Sequence, residues 1–254
     1  MKIRKTTKKD SKEKFEKALN IFVDKTKKNK NVIAILITGS FIHSVPDKNS
    51  DLDVYILTKE GKYRERGNTW INGVEVEYFM NPVKQVEQYF IDETKKGGPH
   101  TAHMFANSKI LFRRGNEIDR LIKKAKSIIN KKRNPMDNTS KELAKYFLDD
   151  LEKDLEDTYI KNDSFAFNLI ANDILKKTLD VFLHISRTYE EKHKRLYNYL
   201  SSKDNKFASL YKKTLLETNM KKRYTLLIKL VRFIETKIDG KRTKEWKLRS
   251  KCTF

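Results

Sequence analysis

The hydrophobic positions of the first half of the chain fall in short runs, whereas those of the second half recur at helical spacing. Runs rich in β-branched residues and bounded by turn residues predict strands at 31–38, 51–58 and 73–79. Amphipathic patterns predict helices around these strands, at 10–23, 82–93 and 117–129. The order helix, strand, strand, strand, helix predicts an α/β (α+β) domain built on a small mixed sheet.

Turn-forming residues almost disappear after position 138. Seven of the eight glycines and all four prolines precede it, so few helix breakers remain beyond it. The polar stretch 130–138, which contains Pro135, indicates a linker. Helical patterns then cover 143–155, 165–188, 193–200, 207–216 and 224–238. The sequence therefore predicts two domains, an α/β domain over 1–130 and an all-α bundle over 139–254.

Two capping boxes mark predicted helix starts. In this motif the first side chain and an acid three residues later each accept a hydrogen bond from the other residue's backbone N–H. Asp10 and Glu13 match it before the first helix, and Thr139 and Glu142 match it at the start of the helical half. We therefore expect one helix to begin after Asp10 and another after Thr139.

The composition limits the class of protein more than the function. A chain of 254 residues suits one large domain or two modest ones. Its apolar runs are too short for a membrane span, and its basic amino terminus lacks the apolar segment of a signal peptide, so we expect a cytoplasmic protein with no membrane partner. The single cysteine, Cys252, excludes an internal disulfide and a thiolate metal cluster.

The formal net charge of +22 suggests a polyanionic partner only in part. The excess is mostly lysine and is spread along the whole chain. A general bias toward lysine in the source organism would explain this even distribution of lysines as well as nucleic-acid binding does. Affinity for nucleotides or RNA therefore stays open.

The segment 37–57 carries the strongest signal for chemistry. A predicted strand ends at Gly39 and Ser40, and the next strand opens with Asp51 and Asp53. Because strand side chains alternate, the two aspartates point the same way and repel each other unless a cation lies between them. Mg²⁺ suits such oxygen ligands. A glycine at a strand end lets a ligand approach the backbone, and Ser40 would begin a short helix whose free N–H groups attract phosphate.

Three further groups of residues are candidate ligands of a metal or a phosphate. Glu75 and Glu77 are two apart and share a face of the third predicted strand, so one of them is expected to add a third carboxylate. His43 follows the turn at Gly39 and Ser40, where it could donate a hydrogen bond to a bound phosphate. His100 and His103 lack a third ligand at zinc spacing, so we predict no zinc site.

These residues resemble the signature of the nucleotidyltransferases of the DNA polymerase β superfamily. The signature is a hydrophobic residue, Gly, then Gly or Ser, and further on Asp, a hydrophobic residue, Asp or Glu, and a hydrophobic residue. The positions that match it are Gly39, Ser40, Asp51, Leu52, Asp53 and Val54. The layout, with a segment like 74–76 after the Asp pair and a late strand and turn at 109–115, is similar to the kanamycin nucleotidyltransferase branch. Many members carry Arg shortly after the Gly-Ser turn, where this chain has Phe41, Ile42 and His43.

The resemblance implies in-line attack by an acceptor hydroxyl on the α-phosphorus of a nucleoside triphosphate, ATP in the first place, with release of pyrophosphate. It implies Mg²⁺ held by Asp51, Asp53 and Glu75, which would be the catalytic carboxylates. It implies that Gly39, Ser40 and His43 bind the triphosphate.

In the kanamycin branch a carboxylate of the helical domain acts as general base. The resemblance assigns this role to Asp150, with Asp149 and Asp154 as rivals. Asp150 and Asp154 lie one turn apart at the border of an apolar stripe, where we expect partial burial to raise the pKa of a carboxylate.

The acceptor is the least determined part of the prediction. The resemblance favours a small polar molecule, such as an aminoglycoside-like or lincosamide-like antibiotic. An RNA 3′ end or a protein hydroxyl is the second possibility, and a non-catalytic basic module that binds nucleotides or RNA is the third. The chain is expected to act as a monomer or a homodimer.

Overall fold

Five strands form one mixed sheet in the first half of the chain. The computed structural model describes residues 8–96 and 98–249. The strands are β1 (Val32–Thr38), β2 (Leu52–Thr58), β3 (Glu65–Ile71), β4 (Val74–Pro82) and β5 (Lys109–Arg113). Their order is β3-β4-β2-β1-β5. Strands β2 and β4 pair in parallel and the other neighbours pair antiparallel, so the predicted small mixed sheet is confirmed.

Helices cover both faces of this sheet because each face carries an apolar stripe. They are α1 (Lys8–Thr26), α2 (Val83–Lys96), α3 (His100–Ala106) and α4 (Glu117–Ile129). Phe15, Leu19 and Phe22 of α1 pack on the face formed by Ile35, Val54 and their neighbours. The other three helices pack on the opposite face, around Phe90, Phe105 and Leu121. Burial of these apolar side chains is the main stabilising contribution here.

The second half of the chain is helical, as predicted. The chain divides into two units with the boundary between Lys131 and Lys132. Helices of the second unit are α5 (Asn138–Ile160), α6 (Ser164–Ile185), α7 (His193–Lys203), α8 (Asn205–Leu216) and α9 (Met220–Lys237). Their common core includes a close stack of Phe182 on Phe207, with ring centroids 3.8 Å apart.

Both predicted capping boxes are wrong. Helix α1 already includes Lys8, so Asp10 lies inside its first turn and cannot be the residue that caps it. Helix α5 begins before Thr139, because Asp137 accepts a 2.7 Å hydrogen bond from the backbone N–H of Ser140. An aspartate with extended backbone thus satisfies the first turn of α5.

Three further points concern the predicted elements. Strand β3 and helix α3 were not predicted as such. No helix among residues 8–96 and 98–249 combines the length and apolar character needed to cross a membrane. Cys252 lies outside the described residues.

Candidate metal centre

A hydrogen-bonded turn directly precedes the two aspartates. Asp47 Oδ1 accepts hydrogen bonds from the backbone N–H of Asn49 at 2.9 Å and from Ser50 Oγ at 3.1 Å. This local bonding fixes the approach to Asp51, which directly precedes β2. Asp53 follows two residues later, so both carboxylates lie on the side of the strand opposite to the buried Leu52.

Parallel pairing of β2 with β4 adds a third carboxylate. Asp53 pairs in register with Glu77, and side chains opposite each other in neighbouring strands lie on the same face. Asp51, Asp53 and Glu77 each offer a carboxylate oxygen within 4.8 Å of the other two, and all three side chains are half-buried. We call these three residues the acidic triad.

Gly39 lies so close to the triad that a Cβ at this position would displace the Asp53 side chain. Its φ of 77° belongs to the left-handed region, which favours glycine. A Cβ built on it would collide with the Asp53 carboxylate, 2.9 Å from Cγ and 3.1 Å from Cβ. The glycine predicted from the motif therefore gives the Asp53 side chain its room.

Ser40 and His43 lie in the short 3₁₀ helix that follows Gly39 and at its end. The carbonyl of Ser40 accepts hydrogen bonds from the backbone N–H of His43 at 3.0 Å and from Ser44 Oγ at 2.8 Å. Both predicted phosphate-binding side chains are exposed. Their roles toward a triphosphate stay predictions.

The other candidate for the third carboxylate, Glu75, lies outside the triad. It accepts a 2.6 Å hydrogen bond from Asn68 Nδ2 on the neighbouring strand β3. The register of β2 and β4 continued by one residue would place Glu75 beside Asp51. Glu77 pairs with Asp53 and has a carboxylate oxygen within 4.8 Å of both aspartates. The geometry therefore favours Glu77 over Glu75 as the third ligand, one of the two alternatives that the sequence left open.

Arg66 of β3 pairs with Glu77, one member of the triad. Its Nη2 and Nε donate to the same oxygen of Glu77, at 2.7 and 3.0 Å. The guanidinium lies over the ring of Phe79, 4.9 Å from its centroid. Arg66 thus neutralises part of the triad's charge.

A cleft of about 400 Å³ opens beside the triad. The residues that line it are Asp51, Arg66, Gly67, Asn68, Glu75 and Glu77. Tyr55, two residues after Asp53 on the same face of β2, is buried and accepts a 2.8 Å hydrogen bond from Asn81 Nδ2. Burial, and secondarily the nearby Tyr89, raises the pKa of Tyr55. The Tyr55 side chain therefore stays neutral and adds no negative charge to this face.

The candidate general bases belong to α5 of the second unit. Asp150 and Asp154 are exposed, so the expected partial burial is wrong: the apolar stripe of α5 runs through Ala144, Leu148 and Leu155, and these two acids lie outside it. Asp149 is half-buried and pairs with Lys153 and Arg242. The role of Asp150 as a base stays a prediction.

Comparison with known proteins decides the family. The sequence model of the nucleotidyltransferase domain matches residues 16–181, about two thirds of the chain. The chain belongs to this family. It is accordingly a nucleotidyltransferase, and the acidic triad lies within the matched region. No curated protein matches the chain.

A solved structure supports the fold. The crystal structure of a nucleotidyltransferase-like protein from Exiguobacterium sibiricum matches with a TM-score of 0.50 and 12% identity, covering 86% of this chain and 73% of that one. At this identity the likeness concerns the fold alone. The comparisons do not identify a branch of the family, so the kanamycin branch stays a prediction.

Sequence reasoning missed the residues of β3 that border the cleft. A signal was present: Asn72 and Gly73, with φ of 52° and 69°, form a two-residue turn between β3 and β4. Asn-Gly between two extended segments is the strongest short-range sign of a β-hairpin. Together with the alternation of 66–71, it would have placed Arg66 and Asn68 beside the glutamates of β4.

Proposed function

We propose that this nucleotidyltransferase transfers a nucleoside monophosphate, AMP from ATP in the first place, to an acceptor hydroxyl, with Mg²⁺ at the acidic triad. One observation carries the proposal: two strands that pair in parallel bring three carboxylates within 4.8 Å of one another, beside a glycine at which any added Cβ would displace Asp53. Carboxylates so grouped repel each other unless a cation joins them. Oxygen-only donors fit Mg²⁺.

The residues present account for the parts of the reaction. The acceptor oxygen forms a bond to the α-phosphorus, the bond from that phosphorus to the bridging oxygen breaks, and pyrophosphate leaves with the electron pair. The hydroxyl proton passes to a carboxylate, for which the resemblance proposes Asp150, or to water. Asp51, Asp53 and Glu77 would hold the metal, which supplies charge neutralisation and activation of the hydroxyl when bound. Gly39, Ser40 and His43 are proposed to hold the triphosphate.

The acceptor has two proposed classes. A small polar acceptor, of the aminoglycoside or lincosamide kind, follows from the kanamycin-like layout, and the comparisons give it no support. Hydroxyls of RNA or protein form the second class. The net charge of +22 favours RNA within this class, because a basic protein attracts phosphate groups. The three grouped carboxylates argue against a non-catalytic module, because without a metal their mutual repulsion would only destabilise the site.

The test measures metal binding and catalysis in the same variants. Asp53→Asn removes a central ligand and should lower release of pyrophosphate from labelled ATP, with a panel of acceptors, by about 10³-fold. Binding of Mn²⁺, followed by electron paramagnetic resonance, should weaken in parallel. Glu77→Gln should resemble Asp53→Asn, whereas Glu75→Gln is the matched control on the same strand.

The outcomes separate the alternatives. Full activity in Asp53→Asn would exclude the mechanism. A stronger effect of Glu75→Gln than of Glu77→Gln on Mn²⁺ affinity would return the third-ligand role to Glu75. Binding of ATP that does not depend on a metal, without turnover, would favour the non-catalytic module.

A further inference from the structure

A row of exposed side chains on β3 borders the acidic triad. The exposed Arg66, Asn68 and Trp70 alternate with the half-buried Gly67, Thr69 and Ile71. Asn68 pairs in register with Glu77, so the exposed row lies on the same face as the glutamates of β4. Strand β3 is at the edge of the sheet, and the side chain of Trp70 stays 66% exposed.

The strand order decides which reactant this row meets. The Gly39 turn ends β1, the triad spans β2 and β4, and β3 lies beyond β4. In-line transfer places the attacking oxygen and the leaving pyrophosphate on opposite sides of the α-phosphorus. Since the turn is the proposed place of the triphosphate, the acceptor approaches from the β3 side. The cleft lies there too, since its lining includes Arg66, Gly67 and Asn68 but neither Gly39 nor Ser40.

Arg66 and a metal ion compete for the same carboxylate. Both donors of Arg66 use a single oxygen of Glu77, and ligation of a cation by Glu77 withdraws negative charge from that pair. The neighbouring Glu75 is held by Asn68 at 2.6 Å. The ring of Phe79 keeps the guanidinium in place above the strand. Arg66 then presents a positive charge, with 68% of its side chain exposed, to whatever enters the cleft.

We propose that Arg66 selects the acceptor, and that the acceptor carries an anionic group, phosphate or carboxylate, near its reacting hydroxyl. This inference rests on the proposed function, because it takes the triad as the metal site. Arginine suits the role because its planar fork binds two oxygens of such a group at once. The other charged residues that line the cleft, Asp51, Glu75 and Glu77, are acidic, so Arg66 is the lining residue that attracts an anion.

The experiment compares Arg66→Ala with Arg64→Ala. Arg64 is an exposed arginine just before β3 that donates to Tyr89 Oη at 2.7 Å and does not line the cleft. With Mn²⁺ alone as probe, Arg66→Ala should bind the metal about fivefold more tightly, because a competing positive charge is gone. Arg64→Ala should bind Mn²⁺ as the unaltered protein does. A variant with a damaged site would bind Mn²⁺ more weakly, so this readout also detects misfolding.

Acceptor binding is measured with Mg²⁺ and a saturating non-hydrolysable ATP analogue, so that the triphosphate site is filled. The probes are adenosine, AMP, a fluorescent oligoadenylate with a free 3′ hydroxyl, and an aminoglycoside. Arg66→Ala should weaken binding of the anionic probes by about tenfold and leave adenosine unchanged. Tighter binding of oligoadenylate than of AMP would identify a polynucleotide as the source of the anion, and the reverse would identify a small phosphorylated molecule. Arg66→Lys should lie between, since it keeps the charge and loses the fork.

Two results would overturn the proposal. One is an unaltered protein that binds Mn²⁺ and the ATP analogue but none of the anionic probes. The other is equal binding of those probes by Arg66→Ala and Arg64→Ala. If the unaltered protein does not bind Mn²⁺, the result would instead contradict the proposed function itself.

Discussion

The two units of the chain differ in how they group carboxylates. In the first unit Asp51, Asp53 and Glu77 lie within 4.8 Å of one another. Acids that lie close to one another favour binding of a cation, and Arg66 pairs with one member of this group, Glu77. In the second unit Asp149 and Glu235 lie among basic side chains instead. The grouping of acids, rather than their number, therefore distinguishes a metal centre from structural ion pairs.

The ion pairs of the second unit tie helices together. Glu235 is buried on α9 and pairs with Arg232, one turn earlier, at 2.7 Å. Arg232 also donates two hydrogen bonds to Glu152 of α5, one of them at 2.8 Å. Loss of one partner would leave a charge desolvated and unpaired. Substitutions that remove a charged side chain should therefore change metal affinity in the first unit and lower the free energy of unfolding in the second.

Among the variants that test this comparison, Gly39→Ala should have the largest effect, which is a loss of affinity for Mn²⁺. The added Cβ must displace the Asp53 carboxylate, so affinity for Mn²⁺ should fall by about 100-fold. The positive φ adds a stability cost of about 1 kcal/mol. Electron paramagnetic resonance of Mn²⁺ and urea denaturation measure the two effects separately.

Gly240→Ala is the matched control for backbone strain. Gly240 has a φ of 97°, and a Cβ there would meet nothing within 4 Å. This variant should lose a similar amount of stability and no Mn²⁺ affinity. Equal Mn²⁺ affinity in the two alanine variants would show that the triad does not depend on the close approach of Gly39.

Local sequence was sufficient to predict the aspartate half of the site. Asp51 and Asp53 share a face because strand side chains alternate, and this follows from two positions in one short segment. The strands that bear the core were visible for the same reason: β1 and β2 consist almost entirely of buried apolar residues. The helical half was predictable because its sequence contains so few helix breakers.

The third carboxylate could not be chosen from local pattern. Glu75 and Glu77 alternate identically, and only the pairing of β4 with β2 places Glu77 opposite Asp53. Register of a parallel pair depends on contacts between distant segments. Strand β3 was hidden for a different reason: as an edge strand with one exposed face, it lacks a run of apolar residues. Exposure of Asp150 likewise depends on packing that the helical pattern alone does not fix.

Arg232→Met is the corresponding perturbation of the second unit. It leaves Glu235 buried without its partner, and the free energy of unfolding should fall by about 2 kcal/mol. Affinity for Mn²⁺ should not change. The chain has two tryptophans, Trp70 and Trp246, so a Trp70→Phe background lets fluorescence of Trp246 report on the second unit alone during urea denaturation.

Trp246 is a suitable probe because it is held by its surroundings. Its indole N–H donates to Glu142 at 2.9 Å, and its ring stacks on Tyr146 with centroids 5.1 Å apart. Lys153→Met, which removes an exposed partner of Asp149, is the control and should cost less than about 1 kcal/mol. An equal loss in both variants would show that burial does not strengthen the Arg232 network.

The smallest expected effect is the pH dependence of one ion pair in the second unit. Burial by itself raises the pKa of Asp149, but Lys153 and Arg242 outweigh it and lower the pKa below its ordinary value of 3.8. Folding therefore favours the ionised form, and the resulting stability is present above the unfolded value and is lost as the pH falls through the lowered folded pKa. Urea denaturation followed by Trp246, at about pH 6 and about pH 3, should show the unaltered protein more stable than Asp149→Asn at the higher pH and the difference reduced at the lower one. A difference that grows toward acid would mean that the pairing with Lys153 and Arg242 does not stabilise the fold, and the contrast between paired acids in this unit and grouped acids in the other would lose its energetic basis.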